Sequence, residues 1–332
     1  MAARNGQKVK LLYIIDILKK YTDEEHPITA TEICEKLASN GVTAERKAIY
    51  DDIAQLTDYG FDIIKTRTPK SGFFLASREF EIPEISLLID AVKTAKFISA
   101  KKTRVLVSKL EKMLSIYQVK KGDKSVFIDY SEKSHNEEIF YSIDTISRAI
   151  ESQKKISLKY GVRELNENRE IVTNYKTRVI SPYALTWQED RYYLIGNYDK
   201  YDNLIHLRLD RMRSVEVLDE PLRHFSKLSS YTDTFDVADY TKKLFGMFGG
   251  DFEEIELRCS KDILEKVADR FSENLFIRNV TDEHFSITVK AAVSEGLVTW
   301  IMNYGDNIKV IKPSTLIDKI KLRAQTITNL YK

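Results

Sequence analysis

Residues Lys176–Met212, KTRVISPYALTWQEDRYYLIGNYDKYDNLIHLRLDRM, decide how this chain is read. Val179-Ile180, Tyr192 to Gly196 and Leu204 to Leu209 are strand-length apolar or alternating pieces, with turn signals at Glu189-Asp190 and Asp202-Asn203. Upstream, Ile156 to Tyr160 alternates, and Val215-Glu-Val217 follows downstream. Short strands without long helices between them predict a small, strongly bent sheet or barrel. Arg178, Tyr193, His206, Arg208 and Arg211 run through these otherwise apolar pieces. Cations on the faces of a small sheet call for a partner, and an anion that binds and leaves is the simplest one.

In a strand read from Ile205 to Asp210, side chains alternate, so His206, Arg208 and Asp210 share one face. At a rise of ~3.3 Å per residue, His206 and Arg208 stand about 7 Å apart, which suits one phosphate or two adjacent ones. The guanidinium fork of Arg208 can hold a phosphate bidentately. Tyr193 offers a hydroxyl and a ring on which a base can stack. Arg178 and Arg211 add charge if the fold gathers them. The competing reading is structural: Arg208 and Arg211 pair with Asp210 or Glu216, and Tyr193 belongs to the core.

Before the strands, Leu11, Ile14, Ile15 and Leu18 mark a first helix. Thr29 and Glu32 form a capping box that opens a second, with Ile33, Cys34 and Leu37 facing inward, and Asn40-Gly41 ends it. Thr43 is placed to cap a third helix, whose stripe is Ile49, Ile53 and Leu56 and whose stop is Gly60. Two strands around the basic turn Lys65 to Gly72 follow. Three helices and a hairpin outline a winged helix-turn-helix. Thr43, Glu45, Arg46, Lys47 and Tyr50 fall off the apolar stripe, where a recognition helix carries its base-reading residues. Lys65, Arg67 and Lys70 lie in the wing, suited to a phosphate backbone or minor groove. The bland alternative is a helical bundle with a solvated charged face. Charge does not choose between them, because the first 75 residues hold 11 basic and 11 acidic residues.

Ile82 to Gln118 reads as helical, residues 119–135 as polar loop, and Ile143 to Ser152 as another helix. After a linker, strand, helix, strand, strand, helix and strand succeed one another from Glu253 to Ile311, with a last helix beyond Pro313. That βαββαβ order is ferredoxin-like. The predicted fold is therefore an α+β multidomain chain. It divides into a winged helix-turn-helix over 1–78 and a helical linker or dimerisation region over 79–154. A small Sm-like β-barrel over 155–220, a linker over 221–250 and a ferredoxin-like domain over 251–332 complete it.

The chain has 332 residues, 43% of them hydrophobic, with 52 Lys+Arg against 50 Asp+Glu. Binding to nucleic acid must therefore come from local patches and not from a global basic field. Cys34 and Cys259 stand far apart, without metal-ligand spacing. No run approaches the ~18 apolar residues of a membrane span, and the first residues lack an apolar signal core. These features predict a soluble cytoplasmic protein without metal or cofactor. No phosphate loop, nucleophile elbow or zinc motif is present, and Asp51 and Asp52 are adjacent on a helix and point apart. The expected chain is not an enzyme.

The string Arg46 to Leu56 with Tyr59-Gly-Phe61 resembles the winged helix-turn-helix of DeoR-type bacterial regulators. The central stretch resembles a WYL domain, named for a Trp-Tyr-Leu triplet, here Tyr192-Tyr193-Leu194 with an aromatic kept in first place. Thr177 to Tyr183 and His206 to Arg211 match that family's other signatures, and Trp300 to Gly305 with Pro313 resembles the extension that commonly follows it. The resemblance implies a transcription regulator with an Sm-like sensor domain for nucleic acid or nucleotide-like ligands, held by Arg178, Tyr193, His206, Arg208 and Arg211. The resulting expectation is a homodimer on double-stranded operator DNA that answers to single-stranded nucleic acid or a nucleotide. A single-stranded nucleic-acid-binding accessory protein and a sugar-phosphate-sensing repressor are the alternatives.

Overall fold

The computed structural model describes residues 3–122, 133–272 and 275–332. The middle of the polar loop expected over 119–135 lies outside them. The chain forms two compact units, residues 1–137 and 138–332.

In the first unit, α1 (Ala3–Tyr21), α2 (Ala30–Ser39) and α3 (Arg46–Tyr59) precede an antiparallel hairpin of β1 (Ile63–Thr66) and β2 (Gly72–Leu75). Ile14, Leu18, Ile33, Leu37 and Ile49 are fully buried between them. The capping box is present: Thr29 Oγ1 accepts from the Glu32 amide at 3.2 Å, and Glu32 Oε2 from the Thr29 amide at 2.7 Å. Gly60 ends α3 with φ +118, a left-handed conformation that glycine adopts without strain. Ile28 bridges to Phe73 beside the hairpin, and a Cβ on Gly72 would stand 2.7 Å from the Ile28 carbonyl oxygen. That close approach requires glycine.

One expectation is corrected in this unit. The N-cap of α3 is Glu45, with no side-chain cap bond, and not Thr43. The Val42 amide bonds back to Leu37, which closes the turn there; Glu45 is still extended, so helical geometry starts at Arg46, three residues after Thr43. The span from Ile82 to Gln118 is three helices: α4 (Ile82–Thr94), α5 (Ala100–Glu111) and α6 (Ile116–Gly122). Ser99 caps α5 by accepting from the Lys102 amide. Ser115 and Gln118 cap α6 reciprocally, at 2.9 and 3.1 Å. Phe97 and Ile98, between α4 and α5, are buried.

The second unit opens with α7 (Ile139–Glu151), which buries Ile139, Ser142, Ile146 and Ala149. It packs against the sheet formed by β3 (Lys154–Leu165), β4 (Ile171–Gln188), β5 (Arg191–Asn197), β6 (Ile205–Arg208) and β7 (Met212–Pro221). The strand order is β6-β5-β4-β3-β7, antiparallel throughout. The sheet is therefore not the closed barrel the sequence led us to expect: β6 and β7 are its two ends and do not pair. It is nevertheless curled. In a flat sheet those ends would be about 19 Å apart, from four spacings of ~4.8 Å. A single 3-10 turn, Leu209–Arg211, joins them, and the four residue steps from Arg208 to Met212 reach at most ~14 Å. A bulge in β4 between Pro182 and Ala184 supplies part of the bend.

The stretch read as a linker is packed. It holds a short helix α8 (Val237–Lys242), and Phe235, Tyr240, Leu244 and Met247 form a core with Ala184 and Ile195 of the sheet. Beyond it come β8 (Phe252–Ser260), α9 (Leu264–Phe271), β9 (Ile277–Arg278), β10 (His284–Ala292), α10 (Glu295–Met302), β11 (Ile308–Lys312) and α11 (Ser314–Leu330). The sheet order is β11-β8-β10-β9, so the elements follow the βαββαβ succession with one helix appended. Trp300 packs there against Phe245, Phe271 and Tyr304, whereas Trp187 of β4 is 46% exposed.

In the first unit, Lys10 of α1 and Asp52 of α3 form a 2.7 Å ion pair that is almost entirely shielded from solvent. Removing one partner of such a pair leaves the other charge uncompensated. Asp52→Ala is expected to destabilise this unit by about 3 kcal/mol, read in chemical denaturation. A change below about 0.5 kcal/mol, the usual range of a surface substitution, contradicts the assignment.

Candidate functional site

In the first unit, α3 divides cleanly. Ile49, Asp52, Ile53 and Leu56 are buried, while Thr43, Glu45, Arg46, Lys47 and Tyr50 are exposed around its N-terminal end. The hairpin comes alongside: Lys65 Nζ stands 5.3 Å from the centre of the Tyr50 ring, and Tyr50 meets Phe73 edge-on at 5.5 Å. Lys65, Arg67 and Lys70 are exposed as well. Lys70 is committed to Glu32 at 2.9 Å, so the same carboxylate caps α2 and neutralises one hairpin cation. Among the described residues, Arg46, Lys47 and Arg67 have no ion-pair partner. The outcome is a surface that joins the start of α3 to β1, with three uncommitted cations and one shared with an aromatic ring.

In the second unit, the five residues singled out from the strands have different fates. Tyr193 of β5 lies opposite both Thr186 of β4 and Arg208 of β6, and is half-buried against the packed connector. His206 also faces that connector. Its Nε2 lies 2.9 Å from the Tyr240 hydroxyl, and burial pushes its pKa down to about 4, with a bond to the Met247 backbone opposing. His206 is thus engaged by the connector, and its partial burial favours the uncharged ring.

Arg208 is neither free nor on a strand with Asp210. The strand stops at Arg208, and the 3-10 turn folds Asp210 back under it. Arg208 Nε donates to Asp210 Oδ1 at 3.0 Å and Nη2 to Oδ2 at 2.6 Å. Arg191 Nη1 approaches the same Oδ2 at 3.5 Å. The Asp210 carboxylate raises the Arg208 pKa further. Of the two readings offered by the sequence, internal pairing therefore describes this structure at Arg208. Arg211, in the same turn, is half-buried, without a hydrogen-bond or ion-pair partner among the described residues.

Arg178 is exposed on β4, with its guanidinium 5.9 Å from the centre of the Tyr198 ring. Burial raises the Tyr198 pKa, and Arg178 opposes that shift. Tyr160, which the sequence reading passed over, ties the two halves together. Its hydroxyl receives the Arg208 amide at 3.3 Å, and it acts electrostatically on Tyr198. Tyr160, Tyr198, Arg191 and Asp210 are thus the additions that the structure makes. Tyr160 had a sequence signal as the last alternating position of β3, and Asp210 as a candidate partner for Arg208; Tyr198 and Arg191 had none. The arrangement can hold an anion at Arg178 or Arg211 directly, and at the Nε–Nη2 edge of Arg208 only by replacing Asp210.

The WYL domain model matches residues 142–217, which run from within α7 into β7. The WCX domain model matches residues 251–328, from the start of β8 into α11. A comparison with curated proteins gave no match. Among solved structures, proteasome accessory factor B/C (PafBC) of Arthrobacter aurescens is similar over 92% of this chain, at 15% identity and a TM-score of 0.28. The chain spans 46% of the length of that protein. No helix among the described residues is long and apolar enough to cross a membrane.

The buried His206 gives a pH signature. Unfolded, it takes a proton near 6.5; folded, only near 4. Its contribution to stability is therefore intact above pH 6.5 and is lost as pH falls towards 4, by roughly 2–3 kcal/mol at pH 4.5. His206→Gln, which keeps a side chain able to bond Tyr240, is expected to lose less melting temperature between pH 7 and 4.5 than the unaltered protein. Equal losses contradict the burial argument.

Proposed function

We propose that the chain is a ligand-responsive transcription regulator. In this reading the first unit is a winged helix-turn-helix of DeoR type, with α3 as the recognition helix and the β1–β2 hairpin as its wing. The WYL-matching sheet is the sensor. The observation that carries the reading is the exposed start of α3, where Arg46 and Lys47 stand unpaired beside Lys65 and Arg67 while the apolar stripe behind them is fully committed to the core. Arg46 and Lys47 then reach guanine edges or phosphates in the major groove, and Lys65 and Arg67 follow the backbone. Thr43, Glu45 and Tyr50 border the same contact, and Lys70 joins it only by leaving Glu32.

The sensor ligand in this reading is a single-stranded nucleic acid or a nucleotide. Arg178 beside Tyr198, and Tyr193 beside Arg208, each place a cation next to an aromatic ring, the pairing that phosphate and base require together. Two copies of the chain act on a near-palindromic duplex, and ligand alters the presentation of their recognition helices. Such a switch works only if ligand binds two conformations with different affinity. The reading gives the chain no catalytic step, no metal and no cofactor, and it places the protein in the cytoplasm.

Selection of genomic duplex fragments by the purified protein tests this. A recurring two-half-site sequence is expected, and Arg46→Ala or Lys47→Ala is expected to weaken binding to it by about tenfold or more, from the ~1–3 kcal/mol of a specific base contact. Fragments recovered without a common sequence, or variants that bind the selected duplex unchanged, contradict the assignment. Arg178→Ala is expected to weaken binding of a single-stranded oligothymidylate while duplex binding stays as it was; a loss of both together contradicts separate roles for the two units.

A further inference from the structure

We propose that Asp210 is a built-in competitor for the ligand's phosphate: it occupies the guanidinium fork of Arg208 when ligand is absent and is displaced when ligand binds. The inference rests on the sensor reading above and adds how that site is regulated. Arg208 presents Nε and Nη2 as parallel donors, and both are taken by the two oxygens of one carboxylate, at 3.0 and 2.6 Å. That side-on edge is one of the two on which Arg binds a phosphate bidentately. A phosphate and Asp210 therefore exclude each other at that edge of Arg208.

The carboxylate is held for exchange and not merely trapped. Arg191 Nη1 already stands 3.5 Å from Asp210 Oδ2, so a carboxylate that leaves Arg208 keeps a cation beside it. This reduces the cost of displacement, because a buried carboxylate without a partner is strongly unfavourable. The exchange also has a mechanical consequence. Asp210 is the middle residue of the 3-10 turn Leu209–Arg211, and its neighbours Leu209 and Met212 are fully buried. This turn packs against α7, β3 and β5. Moving Asp210 pulls on a turn anchored at both ends in the core, and carries Arg211 with it. Occupancy of one anion site is thereby coupled to the link between the two edges of the sheet and to α7.

The test uses the full chain, with a 5′-phosphorylated ten-residue oligothymidylate and inorganic pyrophosphate as probes. Asp210→Asn is expected to tighten binding by about tenfold, the equivalent of one charge-assisted hydrogen bond no longer contested. Adding Arg208→Ala to that variant is expected to abolish the gain. Tightening towards both probes identifies the phosphate group itself as the displacing species, and tightening towards the oligonucleotide alone identifies the strand; either supports the exchange. If the unaltered protein binds and Asp210→Asn binds no tighter, the exchange is overturned while the sensor reading stands. If neither binds either probe, the sensor reading fails and the exchange with it. The second measurement needs no variant. A structure of the unaltered protein with the oligonucleotide is expected to show Arg208 on a phosphate and Asp210 off it, and an intact Arg208–Asp210 fork in that complex overturns the proposal.

Discussion

Three residues, Leu209–Arg211, connect strands that lie at opposite edges of a five-stranded sheet. Because the connection is shorter than a flat sheet is wide, the sheet must curl until its edges approach. Much of the second unit follows from this. The curl brings Tyr160 of β3 within reach of the Arg208 amide on the far edge strand. The turn that closes the gap buries Leu209 and aims Asp210 at Arg208. The outer face of β5 and β6 would be left open by the curl, but the connector covers it, with Tyr240 placed on His206.

The same constraint sorts the charges. Arg208 and His206 look alike in sequence, two basic residues alternating on one strand, yet one is paired with a carboxylate and the other is half-buried against Tyr240 of the connector. The net gain when a cation binds an anion is reduced by the partners it gives up. Arg178 and Arg211 give up no ion pair, whereas Arg208 gives up two charge-assisted hydrogen bonds, each worth roughly 1.5–3 kcal/mol. On the proposed sensor reading such a site discriminates: weak anions settle at Arg178 and Arg211, and only a ligand able to replace a bidentate carboxylate takes the Nε–Nη2 edge of Arg208.

Local signals were legible wherever they were self-contained. The Thr29–Glu32 box, the Asn40-Gly41 stop, Gly60 after α3 and the Glu189-Asp190 turn all depend on a few adjacent residues, and each stands in the structure as read. The breaks within 82–118 were also local, at Ser99 and in the Ser115–Gln118 box, but the continuous apolar pattern across them hid the caps. Closure of the sheet was not legible, because alternation reports which face is apolar and says nothing about whether edge strands meet. The fate of His206 was hidden for a related reason: its partner Tyr240 lies 34 residues on, in a stretch whose polar residues and turns read as linker. Asp210 was visible as a possible partner for Arg208. Its two-pronged geometry depends on the strand ending at Arg208, which the alternation through Leu209 disguised.

On the proposed reading, anion binding at the curled sheet and duplex binding at the α3 face are thermodynamically coupled. The direct measurement is the affinity of the purified full chain for its selected duplex, with and without saturating single-stranded oligonucleotide, together with the reciprocal titration. Coupling of about fivefold or more, equal in both directions, is the predicted result. Affinities that are the same with and without the second ligand would contradict the account.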